Sequence, residues 1–102
     1  LPVLLARQVF QAKYGRGDEL VTLFRELNAR MRDAGELTPQ FRILSDVTGP
    51  FFTVVTEIVV ENLAAWEGEF RTSMERPWMG EWFSRMMPLV ESGSREFYNI
   101  VE

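Results

Sequence analysis

The sequence has no cysteine, no histidine and a single lysine. Without cysteine there are no disulfides, thiolate nucleophiles or sulfur metal sites; without histidine there are no imidazole bases, no histidine haem ligation and few routes to a zinc site. The acidic residues are scattered and form no loop of alternating oxygen ligands, so neither calcium nor any other metal is expected, and no cofactor is called for. Long apolar runs are also missing. The stretches Leu1 to Ala6 and Phe51 to Thr56 fall far short of the ~20 residues of a membrane-spanning helix, so no membrane association is expected. Leu1 to Ala6 lacks the basic head and cleavage context of a signal peptide, which points to a cytoplasmic location.

What remains is an acidic chain of ordinary globular composition. Its 102 residues carry 11 basic and 15 acidic side chains, a net charge of −4 that opposes binding to nucleic-acid phosphates or anionic lipid. With 46% hydrophobic and 25% charged residues, the composition suits one folded domain over residues 1–102. At this length the chain supports one core, and a homo-oligomer would add to the burial.

Hydrophobic periodicity sets the order of elements. Val3 to Lys13 reads as a strand with Leu4, Ala6, Phe10 and Ala12 on one side. After the Tyr14-Gly15-Arg16-Gly17 turn, Asp18 is a suitable helix cap, and Leu20, Leu23, Phe24, Leu27 and Met31 share one helical face that Gly35 ends. Gln40 to Val47 and Phe51 to Glu61 read as a hairpin about Thr48-Gly49-Pro50. Asn62 caps a second helix bearing Leu63, Trp66, Phe70 and Met74; Pro77 interrupts it, and Trp78, Trp82, Phe83 and Met86 continue the stripe until Pro88. Glu91 to Ser94 reads as a break before a last strand, Arg95 to Val101. The order is βαββαβ, an α+β ferredoxin-like fold with a four-stranded antiparallel sheet.

Two faces stand out. In the third strand Phe52, Val54, Thr56, Ile58 and Val60 suit burial under the helices, yet the opposite side, where Phe51, Val55, Glu57 and Val59 lie, is not polar as an open sheet face should be. Together with Val9 these residues predict a sheet-to-sheet homodimer interface. Arg7 and Arg42 are the candidates to neutralise Glu57, which is also the carboxylate best placed for acid–base work. On the helices, Trp66, Phe70, Trp78 and Trp82 either line an apolar pocket for a flat or fatty molecule or simply fill the core.

The segments Gly15-Arg16-Gly17-Asp18-Glu19-Leu20 and Glu61-Asn62-Leu63-Ala64-Ala65-Trp66, followed by Phe70 and Pro77-Trp78, resemble the dimeric α/β-barrel superfamily, with its NIPSNAP-like and antibiotic-biosynthesis monooxygenase-like proteins. The resemblance spans nearly the whole chain. It implies two sheets paired into a barrel and a pocket between sheet and helices. Haem-degrading members use a histidine that this sequence lacks, whereas cofactor-free oxygenase members let the substrate reduce oxygen while side chains position it. On that resemblance Trp66, Trp78, Asn99, Tyr98 and Arg42 are the positions that could take such parts.

Three functional readings follow. The first is a NIPSNAP-like dimer binding an apolar or aromatic small molecule. The second is a cofactor-independent monooxygenase acting on an aromatic or polyketide-like substrate. The third is an interaction module without a ligand, which a solid core would favour.

Overall fold

The computed structural model describes residues 3–35 and 41–101. Four strands and three helices follow one another as β1 (Leu4–Ala12), α1 (Gly17–Asp33), β2 (Arg42–Ser45), β3 (Thr53–Val60), α2 (Leu63–Met74), α3 (Met79–Met86) and β4 (Val90–Asn99), with a 3-10 turn at Met87–Leu89. The strands form one antiparallel sheet in the order β2-β3-β1-β4, and the arrangement is ferredoxin-like.

Strand alternation decides what each side of the sheet carries. Ala6, Ala12 and Val54 are buried on the side under the helices, where Leu20, Leu23, Phe24 and Leu27 of α1 meet Met79, Trp82 and Met86 of α3. Trp82 is 2% exposed, and its indole N–H donates to the Leu23 carbonyl at 2.9 Å, so the largest core side chain leaves no buried donor unpaired. Arg85 closes the α1–α3 contact from outside, donating to both carboxylate oxygens of Glu26 at 2.7 and 3.0 Å.

Several sequence expectations are corrected. Asp18 is not the cap of α1: the helix begins at Gly17 with Arg16 at the cap position, and Asp18 and Glu19 occupy the first turn, where their charge favours the N-terminal end. A Cβ on Gly17 would lie 3.2 Å from the Phe52 ring, so the helix starts on the one residue that lets this close approach stand. The hairpin strands are shorter than the pattern indicated, and the expected start at Gln40 lies outside the described residues. Phe52 takes the left-handed backbone (φ 60°) at the end of the turn, which delays β3 to Thr53.

The last strand starts five residues before Arg95. Ser92, Gly93 and Ser94 continue the ladder opposite Gln11, Phe10 and Val9, and a Cβ on Gly93 would approach the Val9 carbonyl to 3.2 Å. The small residues that read as a break are there because the strands come close. Asn62 does cap α2, its side-chain oxygen accepting from the Ala65 N–H at 2.8 Å. α2 ends at Met74 and α3 begins at Met79, with Pro77 in between.

Candidate functional site

α2 contributes no fully buried residue, whereas α1 and α3 bury five and three. The helical layer therefore does not close completely on the sheet. A cavity of about 330 Å³ remains between them, at the lower end of the ~300–1,000 Å³ typical of small-molecule sites. Phe10, Phe24, Phe41, Trp66, Phe70, Trp82 and Phe83 contribute to its wall, with Met31, Met74, Met79 and Met86 filling the gaps. Phe24 anchors the inner end, its ring 5.0 Å from Phe10 and 5.5 Å from Trp82. At the α2 side Trp66 and Phe70 stack, 5.0 Å apart and 19° from parallel, as their spacing of four along the helix allows.

The floor is not uniformly apolar. Thr56, Gln8 and Arg95 are direct cross-strand partners on β3, β1 and β4 and form a polar row on the helix-facing side. Arg95 donates to the Gln8 side-chain oxygen at 3.2 Å, and its guanidinium carbon lies 4.7 and 4.9 Å from the centroids of Trp66 and Phe70. Glu69 and Ser73 add polar groups from α2. Among the described residues Arg95 forms no ion pair, and no group of three or more acidic residues could hold a metal.

The residues singled out from sequence separate into two groups. Trp66, Phe70 and Trp82 line the cavity; Trp78 does not, because it stands at the start of α3 with Arg30 over its ring at 5.2 Å. None of Asn99, Tyr98, Arg42 and Glu57 lines it. Asn99 ends β4, and the other three belong to the opposite side of the sheet. There Tyr98 donates its hydroxyl to Glu96 at 3.0 Å, and that bond and the nearby charge hold the phenol above its ordinary pKa. Of the polar lining residues, Thr56 was placed under the helices from sequence, whereas Gln8, Glu69, Ser73 and Arg95 were not singled out. Their signal was readable in Gln8, a polar residue at an inward-facing position of β1 between Ala6 and Phe10.

The outer side carries a second row in register. Arg42, Glu57, Arg7 and Glu96 are successive cross-strand partners on β2, β3, β1 and β4, so charge alternates across the whole sheet. Glu57 is 6% exposed between Arg42 at 2.5 Å and Arg7 at 3.5 Å. Around this row Phe51, Val59, Leu44 and Tyr98 are exposed, while Val55 is already buried by its own chain. No helix among the described residues is long and apolar enough to cross a membrane.

Solved structures share this arrangement. A NIPSNAP family protein of unknown function from Agrobacterium tumefaciens superposes with a TM-score of 0.82 at 10% identity, over 96% of this chain and 87% of that one. A NIPSNAP domain protein from Burkholderia xenovorans gives 0.79 at 12% identity, over 93% and 91%. A candidate antibiotic biosynthesis monooxygenase from Caulobacter crescentus gives 0.74 at 11% identity, over 98% and 91%. No family profile and no curated protein sequence matches the chain. The fold is thus the ferredoxin-like one these NIPSNAP and monooxygenase-like proteins share.

Proposed function

We propose that this chain is a NIPSNAP-like small-molecule-binding protein that works as a homodimer of the dimeric α/β-barrel type and takes a compact apolar or aromatic ligand between sheet and helices. The observation that carries the binding reading is the 330 Å³ cavity with its aromatic wall. A chain without a ligand would gain by collapsing such a space, since each unfilled volume forfeits contacts.

The dimer reading rests on the outer face. Val59 and Tyr98 on one side of the charge row and Leu44 and Phe51 on the other are exposed apolar side chains that a second copy covering this face would bury. The alternating charge row favours a second copy as its cover. Turned about a two-fold axis along the strands, a second sheet presents the row reversed, so that each positive position faces a negative one.

The oxygenase alternative draws support from the fold shared with the Caulobacter protein, but Asn99, Tyr98 and Arg42 stand outside the cavity and could not position a ring bound there. Saturation-transfer NMR with one- and two-ring aromatic and short aliphatic compounds tests the binding reading. Transfer to several compounds is expected, with loss in Ser73→Trp, which fills the cavity. No transfer, or transfer unchanged in that variant, contradicts it.

A further inference from the structure

The polar row on the cavity floor offers more donors than acceptors, and Arg95, exposed on the edge strand β4, stands where the row meets solvent. A guanidinium has five N–H donors, and the only side-chain hydrogen bond of Arg95 among the described residues is the one from Nη2 to Gln8. That bond uses the Gln8 oxygen and leaves the Gln8 amide N–H₂ without an acceptor among the described residues. Trp66 and Phe70, stacked on each other, both lie beside the guanidinium carbon, so Arg95 packs against the aromatic pair at the α2 side of the cavity and keeps its remaining N–H donors free of protein partners among the described residues. Two adjacent donor groups at one end of an apolar cavity match the two oxygens of a carboxylate.

We propose that the ligand is a monocarboxylate on a compact apolar body, with its carboxylate bound by Arg95 and Gln8 and its body lying among Phe10, Phe24 and Trp82. This rests on the cavity being a ligand site and specifies what enters it. Glu69 is the acidic residue of the same wall, and an amine-bearing ligand would be its counterpart. The geometry favours the carboxylate, because Arg95 is fixed by two rings and a hydrogen bond while Glu69 has no hydrogen bond or ion pair among the described residues. At about 330 Å³ the space suits one or two rings or a short chain rather than a long lipid.

Titration calorimetry at pH 7 with 2-naphthoate, 2-naphthalenemethanol, 2-naphthylmethylamine and octanoate separates these chemistries. The carboxylate is expected to bind about tenfold or more tightly than the alcohol of the same shape. That preference should vanish in Arg95→Gln and survive in part in Arg95→Lys, which keeps the charge and loses the planar fork. Circular dichroism establishes that each variant is folded. Octanoate binding as well as 2-naphthoate identifies an aliphatic body as sufficient; 2-naphthoate alone identifies an aromatic one, and both support the carboxylate. Equal binding of acid and alcohol, a preference unchanged in Arg95→Gln, or tighter binding of the amine overturns the carboxylate assignment while leaving the cavity as a ligand site. Absence of binding by all four overturns both.

Discussion

Arg42 on β2 places Nη2 2.5 Å from Oε1 of Glu57 on β3, and the carboxylate it meets is almost completely shielded from water. Arg7 approaches the other oxygen of the same group at 3.5 Å. Glu57→Gln would leave two guanidiniums beside a neutral amide, and a loss of about 1–3 kcal/mol is expected in urea denaturation. Arg42→Ala should cost less, about 1 kcal/mol or below, because that side chain is largely exposed and Arg7 still serves Glu57. Equal losses would mean that Glu57 depends on Arg42 alone.

Trp66 and Trp82 both line the cavity but differ in what they hold. Trp82→Phe removes the indole N–H that meets the Leu23 carbonyl inside the core and should lower stability by about 1–3 kcal/mol. Trp66→Phe touches a half-buried helix face and should change the melting temperature little while weakening ligand binding. Thermal melts of the two variants, with and without 2-naphthoate, check this.

The α1–α3 clamp predicts a direction with pH. Hydrogen bonds from Arg85, with its charge and that of Arg30, hold the Glu26 carboxyl below its ordinary pKa against the opposing effect of desolvation. A carboxyl depressed in the folded state binds protons more readily when unfolded. Its contribution is therefore complete above the ordinary glutamate value of about 4.3 and is lost as pH falls through the lower folded value. Wild-type stability should fall on acidification below about pH 4.3, and Glu26→Gln should show a shallower fall in chemical denaturation over the same interval.

The proposed dimer has a clean probe in Val59, which is 51% exposed on the outer face. Val59→Asp should leave the subunit folded and shift light-scattering mass from about twice 11.9 kDa to 11.9 kDa, since a two-fold contact brings both new carboxylates into one dry patch. Val55, at 6% exposure within its own subunit, is unsuitable, because an acid there would disturb the fold itself.

Most of the fold could be read from periodicity because the amphipathic helices and the Asn62 cap are local features. The element boundaries that moved did so for tertiary reasons. Gly17 and Gly93 read as turn residues, yet each marks a close approach, to Phe52 and to Val9, that only the folded partner reveals. The aromatic wall was legible from helix spacing. Trp78 was misplaced because four-residue spacing from Trp82 says which residues share a face, not that α3 begins only at Met79. The polar floor depends on register: Thr56, Gln8 and Arg95 stand 48 and 87 positions apart and become neighbours only when β3 and β4 pair with β1. The Arg7–Glu57 and Arg42–Glu57 contacts are likewise products of register rather than of any sequence motif.

The most direct test of the cavity as a ligand site is a two-dimensional nitrogen–proton NMR titration with 2-naphthoate, following the indole N–H groups of Trp66, Trp78 and Trp82 and the side-chain N–H of Arg95. Binding between sheet and helices predicts saturable shifts at Trp66, Trp82 and Arg95 with little change at Trp78. Shifts confined to outer-face residues such as Tyr98 and Val59, or none with 2-naphthoate and equally none with the alcohol, the amine and octanoate, would contradict it.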